Sequence, residues 1–281
     1  MKIFSSRKCL DYSMLGHPEC PERVSTAYDY LKKKGFEFIE PNVCSKEDVL
    51  LAHSKELLQK VKGGNFSDAD TPALDDIYYY ATLAAGAAIE SALLSLKGEK
   101  AFSLMRPPGH HATRDNLGGF CYFNNIAIAT MRAREVVDKV AVIDVDCHHG
   151  NGTQDIFLGR QDLIYISLHQ SPLYPGTGLE SQENCFNYPL AANTTPKSYM
   201  DTLNKALEAV KKFNPDLIGV SMGFDTYKLD PITSLSLEKS TYKETGQALA
   251  ALNKPIFSIL EGGYHFNDMP ECIFGYFGGL G

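Results

Sequence analysis

Five short apolar runs punctuate the chain: FSLM at 102–105, VAVIDVD at 140–146, LIYISL at 163–168, DLIGVSM at 216–222 and PIFSIL at 255–260. Runs of this length, rich in Val and Ile, predict strands buried on both faces. Between them, 123–136, 196–213 and 236–252 carry apolar residues at helical spacing. Strand then helix, repeated, predicts an α/β fold with a parallel sheet between helical layers. The segment 78–96 is long and Ala-rich with Glu90 inside it, which predicts a buried helix rather than a membrane span.

In such a sheet, ligands gather beyond the carboxyl ends of the strands. The residues following the five runs are RPPGHH, CHHGNG, HQSPLYPGTG, GFD and EGGYH. Five strand ends therefore deliver His, Asp and Tyr to one rim.

The run at 140–146 poses a physical problem, because it ends in two carboxylates that cost several kcal/mol to bury bare. If the extended conformation continues, Asp144, Asp146 and His148 share one side while Cys147 and His149 face the other. Asp225 sits at the end of another strand. Two carboxylate oxygens and one imidazole nitrogen suit a divalent ion with coordination positions left open, so Asp146, His148 and Asp225 are the expected ligands. Asp144 is left to accept a hydrogen bond from an imidazole and orient it. The donor set does not discriminate between zinc, iron and cobalt.

Length and charge narrow the picture further. The 281 residues show no linker, repeat or low-complexity stretch, so one domain over 1–281 is expected. The formal charge of −7 comes without a Lys/Arg cluster, which argues against a nucleic-acid partner. Seven cysteines form no CxxC pair, against both a disulfide framework and a thiolate zinc site. The N-terminal MKIFSSRKCLDYS lacks a secretory pattern, so a cytoplasmic location is expected.

RPPGHHA (106–112), GGFCYFNN (118–125), DVDCHHGNGTQDIF (144–157), SPLYPGTG (171–178), GFDTYKLDP (223–231) and LEGGY (260–264), in that order, resemble the metal-dependent histone deacetylase family. HPECPER (17–23) resembles the signature of its class II branch and bacterial relatives. The resemblance implies an arginase-like α/β fold with a mostly parallel eight-stranded sheet and helices on both faces. It also implies hydrolysis of an N-acetyl amide with one zinc ion per chain. A monovalent cation, commonly potassium, is implied near Asp144, Asp146, His148, Ser167 and Leu168.

The same resemblance assigns roles residue by residue. His111 is implied as the base that later protonates the leaving amine, and His110 as its electrostatic partner, oriented by Asp144. Asn151 matches the position that orients the second histidine, with a neutral amide where class I members carry Asp. Tyr264, after two glycines that permit close approach, is implied as the oxyanion donor. Phe120 and Tyr174 match the walls of an acyl-lysine tunnel that Gly119 keeps narrow, and Asp70 matches a rim acid. Arg23 matches a residue lining an internal acetate exit.

The expected substrate is an acetyl-lysine side chain or a related acetylated amine, with an acetylpolyamine as the alternative. Ile232 stands where a polyamine specialist can carry a glutamate. Two further readings remain open: a binuclear ureohydrolase, which needs more ligands than are visible, and a non-catalytic acyl-amine binding module.

Overall fold

A computed structural model describes all 281 residues. Its strands are β1 (Lys2–Phe4), β2 (Phe38–Ile39), β3 (Ala101–Ser103), β4 (Val140–Asp144), β5 (Leu163–Gln170), β6 (Cys185–Leu190), β7 (Leu217–Met222) and β8 (Ile256–Leu260). They form one eight-stranded sheet in the order β2-β1-β3-β8-β7-β4-β5-β6, and each neighbouring pair is parallel. β7 and β8 come last in sequence yet separate β3 from β4. That arrangement brings chain segments more than a hundred residues apart to the sheet centre.

The alternation of side chains along β4 sorts two cores. Ala141 and Ile143 join one cluster with residues of α1 (Glu22–Lys33), whereas Val140 and Val142 join another with α2 (Lys46–Ala52), α3 (Lys55–Gly63), α4 (Ile77–Ser95) and α5 (Asn125–Ala133). α6 (Asn151–Phe157) adds Phe157 to the second cluster, and α7 (Pro196–Phe213), α8 (Lys239–Ala250) and α9 (Met269–Leu280) pack in the first. The sheet thus has helices on both faces. α4 is long and apolar enough to cross a membrane, but its alanines 81, 85, 88 and 92 are fully buried against the rest of the chain.

All five expected strands are present, with shifted ends. The first covers 101–103 rather than 102–105, and β4 stops at Asp144 rather than Asp146. β5 runs two residues further than the apolar run, to Gln170. The helix expected at 123–136 begins only after Asn124, whose side chain accepts from Ala127 N–H as an N-cap,. The helix expected at 236–252 starts after Glu238, where a capping box with Thr241 sets the first turn,.

Candidate active site

The register explains why the site forms where it does. Asp144 is level with Ser221 of β7, and Ser221 with Ile259 of β8. Asp146, Asp225 and Gly262 therefore leave the sheet side by side, just past its carboxyl edge.

The chain does not stay extended after Asp144. Asp144 Oδ1 accepts the N–H of Asp146 at 3.1 Å, and Asp146 Oδ1 accepts that of His148 at 2.9 Å. These are side-chain-closed turns of the kind Asp favours. Strand alternation is therefore the wrong reason for the grouping, although Asp146 and His148 do meet and His149 does turn away. His149 instead bonds Thr177 at 2.8 Å and Gln154 at 3.0 Å.

Asp146, His148 and Asp225 place one ligand atom each within 4.8 Å of one another, and all three are buried. His148 Nδ1 lies 3.1 Å from Asp146 Oδ1 and 2.9 Å from Asp225 Oδ2. Bonds of the usual length to a tetrahedral zinc would set such neighbours about 3.3 Å apart. The outer carboxylate oxygens are held by main-chain donors: Asp146 Oδ2 by Gly262 N–H at 2.7 Å and Asp225 Oδ1 by Cys147 N–H at 2.8 Å. One oxygen of each acid is thereby turned inward. Burial and then Asp146 push the Asp225 carboxyl up to about 7, as expected for two acids crowded without a cation. Burial pulls His148 down, yet the two carboxylates outweigh it and hold the ring up to about 10.

Beside this cluster stand two imidazoles with different partners. His110 Nδ1–H donates to Asp144 Oδ2 at 3.0 Å, and Tyr165 donates its hydroxyl to the same oxygen at 2.8 Å. Burial opposes the charged ring, but Asp144, Asp146 and Glu261 prevail and raise His110 to about 10. His111 Nδ1–H donates to the Asn151 amide oxygen at 2.8 Å, which leaves Nε2 with a free lone pair. Burial, then His110 and His148, depress His111 well below the usual histidine value. One ring is poised as a cation and its neighbour as a base.

The cavity over these groups measures about 250 Å³ and is lined by His110, His111, His148, Phe120, Tyr174 and Tyr264, among others. Gly119 borders it for a steric reason: a Cβ there would lie 2.5 Å from His111 Cδ2. Phe120 sits at φ +68°, a conformation rare for a side-chain-bearing residue. Gly118 and Cys121 close that turn with a reciprocal pair of main-chain hydrogen bonds, and two side chains hold it from outside, Gly119 N–H donating to Asp70 Oδ1 at 3.2 Å and Phe120 N–H to Thr71 Oγ1 at 2.9 Å. Asp70 lines the cavity while clamping one of its walls. Tyr264 packs edge-on to Phe120, with ring centroids 5.9 Å apart, and the Arg23 guanidinium lies 4.7 Å from its ring centroid. A larger open groove, about 640 Å³, lies among Lys139, Leu163, Glu183 and Phe213, and brings together no such set of reactive groups.

Residues 17–280 match the histone deacetylase domain. The chain belongs to that family. It is 38% identical over 276 residues to a probable deacetylase of Archaeoglobus fulgidus, covering 88% of this chain and 76% of the relative. It is 34% identical over 285 residues to a histone deacetylase-like amidohydrolase of Pseudomonas aeruginosa, covering 92% and 75%. Its fold superposes on the crystal structure of an acetylpolyamine aminohydrolase from Burkholderia pseudomallei with a TM-score of 0.95 at 26% identity, over 100% of this chain and 98% of that one. The arginase/deacetylase fold and a hydrolytic deacetylase class are thus established for this family member.

Three site residues escaped the sequence reading. Glu261 is fully buried and accepts from Gly109 N–H at 2.7 Å, His110 N–H at 3.2 Å and the Ser221 hydroxyl at 2.9 Å. It fixes the backbone that carries both histidines. Glu19, inside HPECPER, pairs with Arg106 and Arg23. Asp230 bonds the main chain of Tyr264. A carboxylate directly after an apolar strand, as in IFSILEGG, was the available signal for Glu261.

Proposed function

We propose that this chain hydrolyses the amide of an N-acetylated amine, foremost an acetyl-lysine side chain, with one zinc ion held by Asp146, His148 and Asp225. The observation that carries this reading is the convergence of an Asp/His/Asp cluster, a His–Asp pair and a His–Asn pair on one aromatic-walled cavity. The donors fit a divalent ion: two inward-turned carboxylate oxygens nearly cancel its charge, and the ring nitrogen facing them is His148 Nδ1,. A bound zinc supplies carbonyl polarisation and a water of lowered pKa.

The remaining steps belong to the chain's own groups. His111 Nε2 takes a proton from the attacking water and delivers it to the amine nitrogen as the C–N bond breaks, leaving acetate and a free amine. Asn151 keeps that ring in the required tautomer. His110, held cationic by Asp144, adds positive charge beside the developing oxyanion. Tyr264 donates its hydroxyl to the same oxygen, an interaction worth about 10²–10³ in turnover in comparable sites. Phe120 and Tyr174 flank the aliphatic stem, Gly119 leaves room for it, and Asp70 stands at the mouth.

The potassium ion that the resemblance implies would lie near Asp146 and His148, whose main-chain oxygens accept no hydrogen bond from the protein. Asp144, Ser167 and Leu168 would complete that set. The Ser167 hydroxyl is engaged with His169 Nδ1 at 2.9 Å and would have to share.

An acetylated diamine or polyamine is the second reading. It is favoured by the fold match to an acetylpolyamine aminohydrolase and by the acids at 68 and 70, where burial and then Asp68 raise the Asp70 carboxyl. Ile232 at the cavity wall offers no charge for a distal ammonium. A binuclear ureohydrolase is disfavoured because His110 and His111 are committed to Asp144 and Asn151. The test is an assay of zinc-loaded protein against acetyl-lysine peptides, acetylated diamines and longer acyl-lysines. Hydrolysis lost on chelation and restored by zinc is expected, with peptides turned over faster. Full activity after complete metal removal would sink the mechanism, and preference for acetylated diamines would reverse the order of substrates.

A further inference from the structure

Tyr264 has no helix or strand to place it. It follows Gly262 and Gly263, the latter at φ +118°, and α9 begins only at Met269. Its main-chain N–H nevertheless has one acceptor, Asp230 Oδ2 at 2.7 Å. The other oxygen, Oδ1, accepts the N–H of Ile232 at 3.1 Å. Tyr264 and Ile232 both line the 250 Å³ cavity, and Asp230 itself is only 7% exposed. A single buried carboxylate therefore ties two walls of the site to each other.

The loop around it is closed at further points. The Thr233 hydroxyl donates to the main-chain oxygen of Asp225, and Ser234 N–H donates to Gln170 Oε1 at 2.8 Å. On the Tyr264 side, Arg23 Nε–H donates to Gly263 O at 2.6 Å. The segment leaving Asp225 thus turns back at Asp230 to grip the tyrosine. Both Asp230 oxygens are used, each by one N–H, so the neutral amide of Asn, with one acceptor oxygen, could satisfy only one of them.

We propose that Asp230 is the positioning residue for Tyr264, setting where the phenol stands over the Asp146, His148 and Asp225 cluster and coupling it to the Ile232 wall. This rests on the deacetylase reading for what the phenol does. The placement itself rests on geometry alone.

The experiment compares Asp230→Ala and Asp230→Asn in two backgrounds, wild type and Tyr264→Phe, by steady-state kinetics on an acetyl-lysine peptide, with a crystal structure of each Asp230 variant. In the wild-type background, Asp230→Ala should lower kcat about 10–100-fold, the scale of a reacting group displaced by about 1 Å, with KM within about threefold. Asp230→Asn, keeping one acceptor, should fall between. In the Tyr264→Phe background the same substitutions should cost less than about threefold, because no hydroxyl remains to be misplaced. A residue that merely closes a turn would cost the same in both backgrounds, and that result would overturn the proposal. So would an unmoved Tyr264 main chain in the variant crystals. If Asp230→Ala fails to fold, Asp230→Asn alone carries the comparison. Should the wild-type protein hydrolyse no acetylated amine, the deacetylase reading fails, while the crystal structures still decide whether Asp230 places Tyr264.

Discussion

His111 rests its Nδ1–H on the side-chain oxygen of Asn151, 2.8 Å away, whereas the adjacent His110 has the carboxylate of Asp144. Burial with His110 and His148 holds the first ring's pKa down, whereas Asp144, Asp146 and Glu261 raise that of the second.

Exchanging that partner should move the pH profile. In the proposed mechanism His111 serves as base only when neutral, and burial with His110 and His148 lowers its pKa well below the usual histidine value. Asn151→Asp adds an anion that favours the imidazolium and raises the ring's pKa. The ascending limb of kcat/KM against pH should therefore shift to higher pH, while the plateau above it is retained. An unchanged acid limb in that variant would show that His111 does not set it.

Gly119 is the second sensitive point. At φ +57°, with a Cβ that would approach the His111 ring to 2.5 Å, Gly119→Ala must displace either the turn or the base. A fall in kcat/KM of about 10²-fold is expected, the cost of a roughly 1 Å misplacement. The far-UV circular dichroism should be unchanged, since the turn lies outside every helix and strand. Activity within about twofold of wild type would mean the wall and the base relax independently.

The buried charge cluster should matter for stability. Glu19 receives Arg106 through two bonds, Nε to Oε1 at 2.6 Å and Nη2 to Oε2 at 2.8 Å, and also Arg23 Nη1 at 3.1 Å. Both guanidiniums are fully buried. Removing the one acid leaves two uncompensated cations, so Glu19→Gln should cost about 3–5 kcal/mol in urea unfolding. A loss below about 1 kcal/mol would mean water reaches the cluster.

The sequence made the centre of the sheet legible and its edges obscure. VAVID and LIGVSM are continuous apolar runs because β4 and β7 are buried on both faces. β1 and β2 are only three and two residues long, too short for any periodicity to register. β6 carries Pro189 and a half-exposed alternation, features that belong to an edge strand. The Asp146, His148 and Asp225 cluster was readable because His and Asp after apolar runs are chemically conspicuous. The acids that organise it were harder to find: Glu19 and Asp230 act on backbone and on residues far away in sequence, so no local spacing betrays them, and Glu261 shows only as a carboxylate directly after an apolar run.

His53 joins acid sensitivity to the second core. It is buried, with Nε2 accepting Asn124 N–H at 2.8 Å and Nδ1–H donating to Thr113 O at 2.9 Å. Asn124 in turn caps α5, so the ring must remain neutral to hold that helix start. Burial lowers its pKa to about 4 from the ordinary 6.5. Between those values the unfolded chain binds a proton that the folded chain refuses, so stability rises with pH across the window. The contribution is complete above about pH 6.5 and is lost as pH falls through about 4, amounting to about 3 kcal/mol in all. His53→Gln removes the titration, and its unfolding free energy should vary less between pH 7 and pH 4 than that of wild type by about this amount. Parallel pH dependences in the two proteins would assign the acid sensitivity elsewhere.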